Sequence, residues 1–178
     1  MGTCSNESLT ITGADAVTMK VLPSNLCGVL TGQHVYLSVK DSEMVTITIK
    51  VTSDSTQEWE LLVRQFEADQ TEYLAPRGCL QYFKEDAASF STFNNQGGSG
   101  ELLNDHMYSV CIADNDAYCD VSLTASNFDL KIDGTECKDK VAFGTDAFCG
   151  SGVDKFGTSG SLLCMYISRL RLLLMFHF

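Results

Sequence analysis

The feature that most constrains the fold is a set of eight cysteines, two of which belong to a repeated Cys-Gly motif. The copies are Leu26-Cys27-Gly28 and Phe148-Cys149-Gly150, and each follows an upstream cysteine, Cys4 or Cys137. Because the chain has no Cys-x-x-Cys pair, the pattern favours disulfides over a zinc site. Disulfides persist in oxidising compartments. The cysteines therefore predict disulfide-stapled β-modules in a secreted or extracellular protein.

Length and charge narrow the function. At 178 residues the chain can hold one ordinary domain, or one small module plus part of another, and the repeated motif favours the second arrangement. Asp and Glu number 23 against 12 Lys and Arg, giving a formal net charge of −11. Such a charge repels phosphate backbones, so we expect no nucleic-acid partner.

Short alternating runs predict strands. The clearest, MVTITIKV at residues 44–51, puts Val45, Ile47, Ile49 and Val51 on one face. Similar runs predict an antiparallel sheet in the first half and more strands in the second half, with a loop at 94–100. The first-half runs are 9–12, 34–39 and 58–66, and those of the second half are 79–83, 89–93, 107–112, 118–123 and 128–132. The fold class predicted is all-β, an antiparallel β-sandwich.

Changes of composition along the chain set the predicted domain organisation. The acidic, polar stretch 67–77 marks a module boundary, which gives a first module at 1–68, a second at 69–160 and an atypical apolar tail at 161–178. Arg169 and Arg171 in that tail argue against a membrane anchor, leaving one or two buried strands that close the second sheet, or a non-native end. The first residues lack a secretory signal, so we expect a partial chain. Asn6-Glu7-Ser8 makes Asn6 a candidate glycosylation site.

The second half resembles the CUB-domain proteins, in particular a group common in arthropods. The matching words are APRGCLQYF at 75–83, STFN at 91–94, YSVCI at 108–112, Tyr118-Cys119 and Phe148-Cys149-Gly150. In the first half, LTITG at 9–13, Leu26-Cys27-Gly28, GQHVY at 32–36 and residues 59–65 look like the closing part of a preceding CUB module. The resemblance covers residues 4–156 and does not reach the tail.

The resemblance implies a jelly-roll-like β-sandwich with two disulfides in each module. Carried over by position, it pairs Cys4 with Cys27, Cys79 with Cys111 and Cys137 with Cys149. Ala68 stands where family members carry a cysteine, which leaves Cys119 without its customary partner. Cys164 in the tail is the other remaining cysteine, so Cys119 and Cys164 are either unpaired or paired with each other.

The resemblance also raises calcium binding, since many CUB domains hold the ion through an aspartate three positions after the third cysteine. Glu7 stands there after Cys4, and Lys140 after Cys137, with Asp139 displaced by one. A lysine would repel the ion, and calcium needs six to eight oxygen ligands. We therefore expect no cofactor. The acidic run 114–120 lacks the glycine and terminal glutamate of an EF-hand, which favours a hairpin turn.

The remaining candidate residues favour structural roles. His34, His106 and His177 have no nucleophile motif beside them, so an enzyme is not expected. Residues 97–100 are glycine-rich, but no Lys-Ser/Thr and no helix follow them, which favours a loop over a phosphate cradle. Trp59 fits core packing better than a surface anchor.

The leading hypothesis is a non-enzymatic extracellular interaction module that binds a protein or glycan partner through loops at the sandwich ends. One alternative is a structural spacer in an extracellular matrix or coat. Another is a truncated product with no function of its own. The sequence does not name the ligand, because loops vary on a constant scaffold.

Overall fold

The protein folds almost entirely into short β-strands. The computed structural model describes residues 3–40, 43–52, 54, 58–113, 121–143, 146–158 and 173–177. Helical structure in these residues is limited to one turn, α1 (Thr18–Val21), and a 3-10 turn (Gln96–Gly98). The strands are β1 Glu7–Thr12, β2 His34–Ser38, β3 Thr46–Val51, β4 Leu62–Phe66, β5 Gln81–Phe83, β6 Val110–Ile112, β7 Val121–Thr124, β8 Asp129–Leu130, β9 Ile132–Asp133, β10 Glu136–Cys137, β11 Val141–Phe143, β12 Asp146–Phe148, β13 Gly150–Ser151, β14 Lys155–Thr158 and β15 Leu173–His177. The all-β fold class is confirmed.

The chain divides into two compact units, one formed by residues 1–113 with 167–178 and the other by residues 114–166. In the first unit β1 pairs antiparallel with β3, in a register that sets Leu9 opposite Ile49. The strands β2, β15 and β4 form an antiparallel sheet in that order. The strands β5 and β6 pair in parallel.

The core of the first unit follows from the alternation in β1 and the apolar content of β2. In β1, Leu9 and Ile11 point inward and are buried, as period-two patterning requires. All five residues of β2 are buried, so this strand is covered on both faces. The main core cluster contains Leu9, Ile11, Ala14, Leu22, Leu26, Cys27, Leu30, Val35, Leu37, Val39, Leu80, Phe93 and Leu103.

The second unit is built from antiparallel pairs of two to four residues. These pairs are β7 with β14, β8 with β13, β9 with β10 and β11 with β12. Gly150 in β13 lies opposite Leu130 in β8. A Cβ at Gly150 would come within 2.7 Å of Ile132 Cδ1. Gly150 has φ +80°, a conformation that favours glycine, and a side chain there would also displace the end of Ile132.

Several predicted strands differ from the structure. Residues 89–93 form no strand, because side-chain hydrogen bonds hold this segment as a loop. The run 58–66 pairs only from Leu62 onward, and 128–132 breaks at Lys131, whose carbonyl accepts hydrogen bonds from two backbone N–H groups, those of Lys138 and Asp139. The first half does not form one antiparallel sheet, and β5–β6 is parallel.

The tail contributes one described strand. β15 lies between β2 and β4, so residues 173–177 belong to the sheet of the first unit and do not close a second sheet. Residues 161–172 lie outside the described residues. Within the part of the chain that the structure describes, no helix has the length and apolar character needed to cross a bilayer.

Candidate functional site

The candidate site is a cleft built on the turn that precedes β2. The backbone N–H of Gln33 donates to the carbonyl of Leu30, which closes a turn through Gly32. Gly32 has φ +77°, a conformation that glycine adopts at low cost. The turn delivers Gln33 and His34 to the start of β2, and both side chains are buried.

The strand β5 brings a second glutamine to the same place. The backbone N–H of Tyr36 donates to the carbonyl of Leu80 over 2.7 Å, which holds the start of β5 against β2. On the other side, the N–H of Gln81 donates to the carbonyl of Ser109. Gln81 is thereby fixed next to Gln33, and it is only 1% exposed.

The two glutamines and a serine form a hydrogen-bonded chain. Gln81 Nε2 donates to Gln33 Oε1 over 2.7 Å. Gln33 Nε2 donates to Ser91 Oγ over 2.8 Å and to the Ser91 carbonyl over 3.3 Å. The Ser91 backbone carbonyl only accepts, so the Gln33 atom that contacts it is the amide nitrogen. The other Gln33 atom is then the oxygen, and the Gln81 atom that contacts it is in turn the amide nitrogen.

This chain leaves one acceptor unused. Gln81 Oε1 is buried and has no hydrogen-bond partner among the described residues. A buried polar atom without a partner costs about 1–3 kcal/mol, so such atoms are uncommon in folded proteins.

Aromatic rings form the other wall. The rings of His34 and Phe83 meet edge to face with centroids 5.0 Å apart, and Phe90 follows at 5.8 Å from Phe83. His34 Nε2 accepts a hydrogen bond from the backbone N–H of Tyr82 over 3.2 Å, which places the ring proton on Nδ1. Phe90 is 45% exposed and presents its ring to solvent.

The cleft has a volume of about 240 Å³. It is lined by Thr31, Gly32, Gln33, His34, Gln81, Phe83, Ser89, Phe90 and Ser91. The lining contains amides, hydroxyls and aromatic rings, and no Asp, Glu, Lys or Arg. Such a surface suits an uncharged polar ligand with an apolar face.

Six of the predicted cysteines lie in disulfides. The pairs are Cys4–Cys27, Cys79–Cys111 and Cys137–Cys149, each with Cα atoms 5.6 Å apart. Cys79–Cys111 ties the start of β5 to β6 and so supports the strand that carries Gln81. Cys119 and Cys164, predicted to be unpaired or paired with each other, lie outside the described residues.

The other predicted residues lie away from the cleft. Asn6 is exposed, and its backbone carbonyl accepts from Thr52. Trp59 is half-buried and packs against the main core, although its Nε1 has no hydrogen-bond partner among the described residues. The glycine-rich run at 97–100 contains part of the 3-10 turn. His177 lies in β15.

His106 is a structural histidine. Its Nε2 lies 2.8 Å from the carbonyl of Asn25 and donates to it. Burial lowers the pKa of His106, while the Asn25 hydrogen bond and the charge of Asp105 oppose this shift. The ring therefore ties two loops together in its neutral form.

Two of the residues named for calcium take part in other hydrogen bonds. Glu7 accepts a hydrogen bond from the backbone N–H of Gly28 over 3.2 Å, and the N–H of Asp139 donates to the Lys131 carbonyl. Within the described ranges, no three His, Cys, Asp or Glu side chains form a group able to hold a metal ion. The acidic run 114–120 lies outside those ranges.

The sequence did not single out Gln33, Gln81, Ser91 or Phe90 as site residues. The available signal was a polar residue inside an otherwise apolar strand, Leu80-Gln81-Tyr82-Phe83, together with a second glutamine at the start of β2. Burial of an amide in a strand requires a partner, so two such glutamines indicate a network.

Comparison with known proteins gives one match. The family model for the animal CUB domain matches residues 76–164. No curated protein and no solved structure matches the chain. The matched range includes β5, Phe83 and the loop that carries Ser89, Phe90 and Ser91.

Proposed function

Because the chain belongs to the animal CUB domain family, we propose that it is a non-enzymatic extracellular module that binds a protein or glycan partner through the cleft beside β2 and β5. Domains of this family are generally interaction modules and not catalysts. We also propose that the chain belongs to the group of CUB proteins common in arthropods, and that residues 1–68 are the closing part of a preceding CUB module.

The observation that carries the proposal is the unpaired acceptor in the cleft. Gln81 Oε1 lies in a network whose other members, Gln33 and Ser91, are mutually satisfied. A ligand that donates a hydrogen bond there would supply the missing partner. Loops at strand ends are where β-sandwich domains place their variable contacts.

The chemistry of the cleft supports binding over catalysis. The His34 ring is oriented by Tyr82, whose N–H occupies Nε2, so this nitrogen does not face a nucleophile. The hydroxyl of Ser91 accepts from Gln33 and contacts no general base in the hydrogen bonds that define the network. Catalysis by acyl transfer needs both groups in mutual contact.

The disulfides support an extracellular location. Three pairs in the described residues close sequence separations of 23, 32 and 12 residues. Such cross-links persist in oxidising compartments and are rare in the cytosol.

The experiment is a binding screen of the full, oxidised chain against an array of secreted proteins and an array of glycans. We expect selective binding to a small set of ligands. The control is the same chain reduced and alkylated, which should lose that binding because β5 is no longer tied to β6.

Two outcomes contradict the proposal. A structural spacer would bind no ligand selectively on either array. An enzyme would turn over peptide or ester substrates after purification and lose that turnover when His34 or His106 is replaced by alanine.

The domain organisation is also proposed, with modules at 1–68 and 69–160 and a distinct tail at 161–178. The family match at 76–164 begins near the proposed boundary and supports it. The compact units divide the chain elsewhere, at 113/114. Limited proteolysis of the oxidised chain, with the fragments identified by mass, would show which boundary is cleaved first.

A further inference from the structure

The cleft is small for a whole ligand. Pockets that hold drug-sized molecules measure about 300–1,000 Å³, and this cleft measures about 240 Å³. Its occupant is therefore a single compact group, either a free small molecule or one unit of a larger chain.

The polar wall selects the chemistry of that group. Gln81 Oε1 is an acceptor and needs a hydroxyl or N–H donor. Ser91 Oγ and Thr31 add hydroxyls that both donate and accept. No Asp, Glu, Lys or Arg side chain lines the cleft, so a charged ligand finds no counter-charge.

The aromatic wall adds a second requirement. Phe90 is 45% exposed and lies beside Phe83, with the two ring planes tilted by 36°, so the rings offer an apolar surface next to the amides. A ligand that fits both walls has hydroxyls on one edge and an apolar C–H face on the other. A neutral pyranose has this distribution of groups.

We infer that the cleft binds one neutral sugar residue, with a sugar hydroxyl donating to Gln81 Oε1 and the C–H face of the ring lying against Phe90. This inference rests on the proposed function and narrows its ligand to a neutral glycan. Gln81 Oε1 is buried, so this inference requires a shift of the cleft wall when the sugar binds. Residues 88–92, which carry Phe90, lie outside any strand, so no strand ladder fixes this wall.

The net charge of −11 agrees with this choice. Acidic sugars such as sialic acids and uronic acids are repelled by the chain and find no counter-charge in the cleft. Neutral hexoses and N-acetylhexosamines carry no such penalty.

The test uses the full, oxidised chain and methyl glycosides of neutral hexoses and N-acetylhexosamines, followed by saturation-transfer NMR and titration calorimetry. Sialic acid and glucuronic acid form the acidic arm. We expect binding to at least one neutral glycoside, with at least about ten-fold weaker binding to the acidic sugars.

Two variants assign the site. Phe90→Ala removes an exposed ring and should weaken binding about ten-fold. Its matched control is Tyr73→Ala, which removes a ring of similar exposure, 49%, that stacks on Phe66 instead of lining the cleft. Gln81→Met keeps the side-chain length but removes both the acceptor Oε1 and the Nε2 donor to Gln33, and it should abolish detectable binding. The melting temperature should change by only a few degrees, because one unpaired buried acceptor replaces another.

The results separate this inference from the proposed function. Binding of a protein and no sugar overturns the inference and leaves the proposed function standing. Sugar binding that survives both Phe90→Ala and Gln81→Met, or that favours acidic sugars, also overturns it. Absence of any selective ligand on the protein and glycan arrays overturns both.

Discussion

Arg77 donates to a single carboxylate oxygen of Asp15, from Nε over 2.9 Å and from Nη2 over 2.6 Å. The Asp15 side chain is fully buried, whereas that of Arg77 is 49% exposed. The other oxygen of Asp15 accepts from the N–H of Thr18 and so caps α1. The pair therefore joins the segment 76–78, which precedes β5, to the helical turn α1, which precedes β2.

Replacing Arg77 by methionine should lower the free energy of unfolding by about 1–3 kcal/mol, because the buried carboxylate loses two charge-assisted hydrogen bonds. The matched control is Lys40→Met. It removes an exposed ion pair, Lys40 with Glu43 at 3.5 Å, and should cost about 0–1 kcal/mol. Urea unfolding at pH 7 measures both. Equal effects of the two variants would contradict the assigned role of Arg77.

Acid should weaken the fold through Asp15. Burial by itself raises the pKa of Asp15, but hydrogen bonds from Thr18 and Arg77 outweigh it and hold the pKa below its ordinary value of 3.8. A carboxyl with a depressed pKa stabilises the fold above its unfolded pKa, and the contribution disappears as the pH falls through the folded pKa. We expect Asp15→Asn to be less stable at pH 7 and to lose less stability between pH 5 and pH 2. The free energy of unfolding of both proteins, measured across this pH range, tests the prediction. Equal losses in the two proteins would contradict it.

His106 should destabilise the fold at mildly acidic pH. Burial holds the pKa of His106 below 6.5, against the opposing effects of Asn25 and Asp105. The unfolded chain then binds a proton more readily, so stability is complete above the unfolded pKa and falls as the pH drops towards the folded value. His106→Gln should lose less stability than the wild type between pH 7.5 and pH 5. Equal losses of stability in the variant and the wild type between these two pH values would contradict this role.

Gly28 should not tolerate a side chain. Its φ is +73°, and a Cβ there would clash with Asn94, whose Oδ1 accepts from the N–H of Val29 over 3.1 Å. Gly97 is the control, since its φ of +69° imposes similar strain and a Cβ there meets no atom within 4 Å. We expect Gly97→Ala to cost about 1–2 kcal/mol and Gly28→Ala to cost clearly more. Thermal melts of the two variants, compared side by side, decide the point.

Disulfide mapping should recover the three linkages of the described residues, Cys4–Cys27, Cys79–Cys111 and Cys137–Cys149. Removing both cysteines of the Cys79–Cys111 pair should lower stability by about 2–4 kcal/mol, because a long loop is released in the unfolded state. Non-reducing peptide mass spectrometry tests the pairing, and denaturant titration tests the cost. A peptide linking Cys79 to a different cysteine would refute the assignment.

The sequence predicts the strands whose patterning is local. The alternation in residues 44–51 and 9–12 predicts β3 and β1, and the two do pair. The run at 89–93 wrongly predicts a strand, because its apolar residues do not share one face of a sheet. Phe93 enters the core, and the loop is held by Gln33. That contact joins residues far apart in sequence, so no local pattern shows it.

The cleft is unpredictable for the same reason. Gln33 and Gln81 are 48 positions apart, and their contact depends on the hydrogen bond between Tyr36 and Leu80 that sets β5 beside β2. Periodicity places Gln81 on a strand and Gln33 just before one, but it does not say which strands become neighbours. The family resemblance supplies the fold class and leaves such side-chain networks undetermined.

The parallel pairing of β5 with β6 has a consequence for how such domains diversify. Parallel neighbours need a long crossover, and here residues 84–109 supply it between ends that Cys79–Cys111 clamps together. Substitutions within that crossover, including the position of Phe90, change the mouth of the cleft without altering the register of either strand. The proposed ligand contacts can therefore vary through changes in this one segment, while the cross-linked pair of strands is left unchanged.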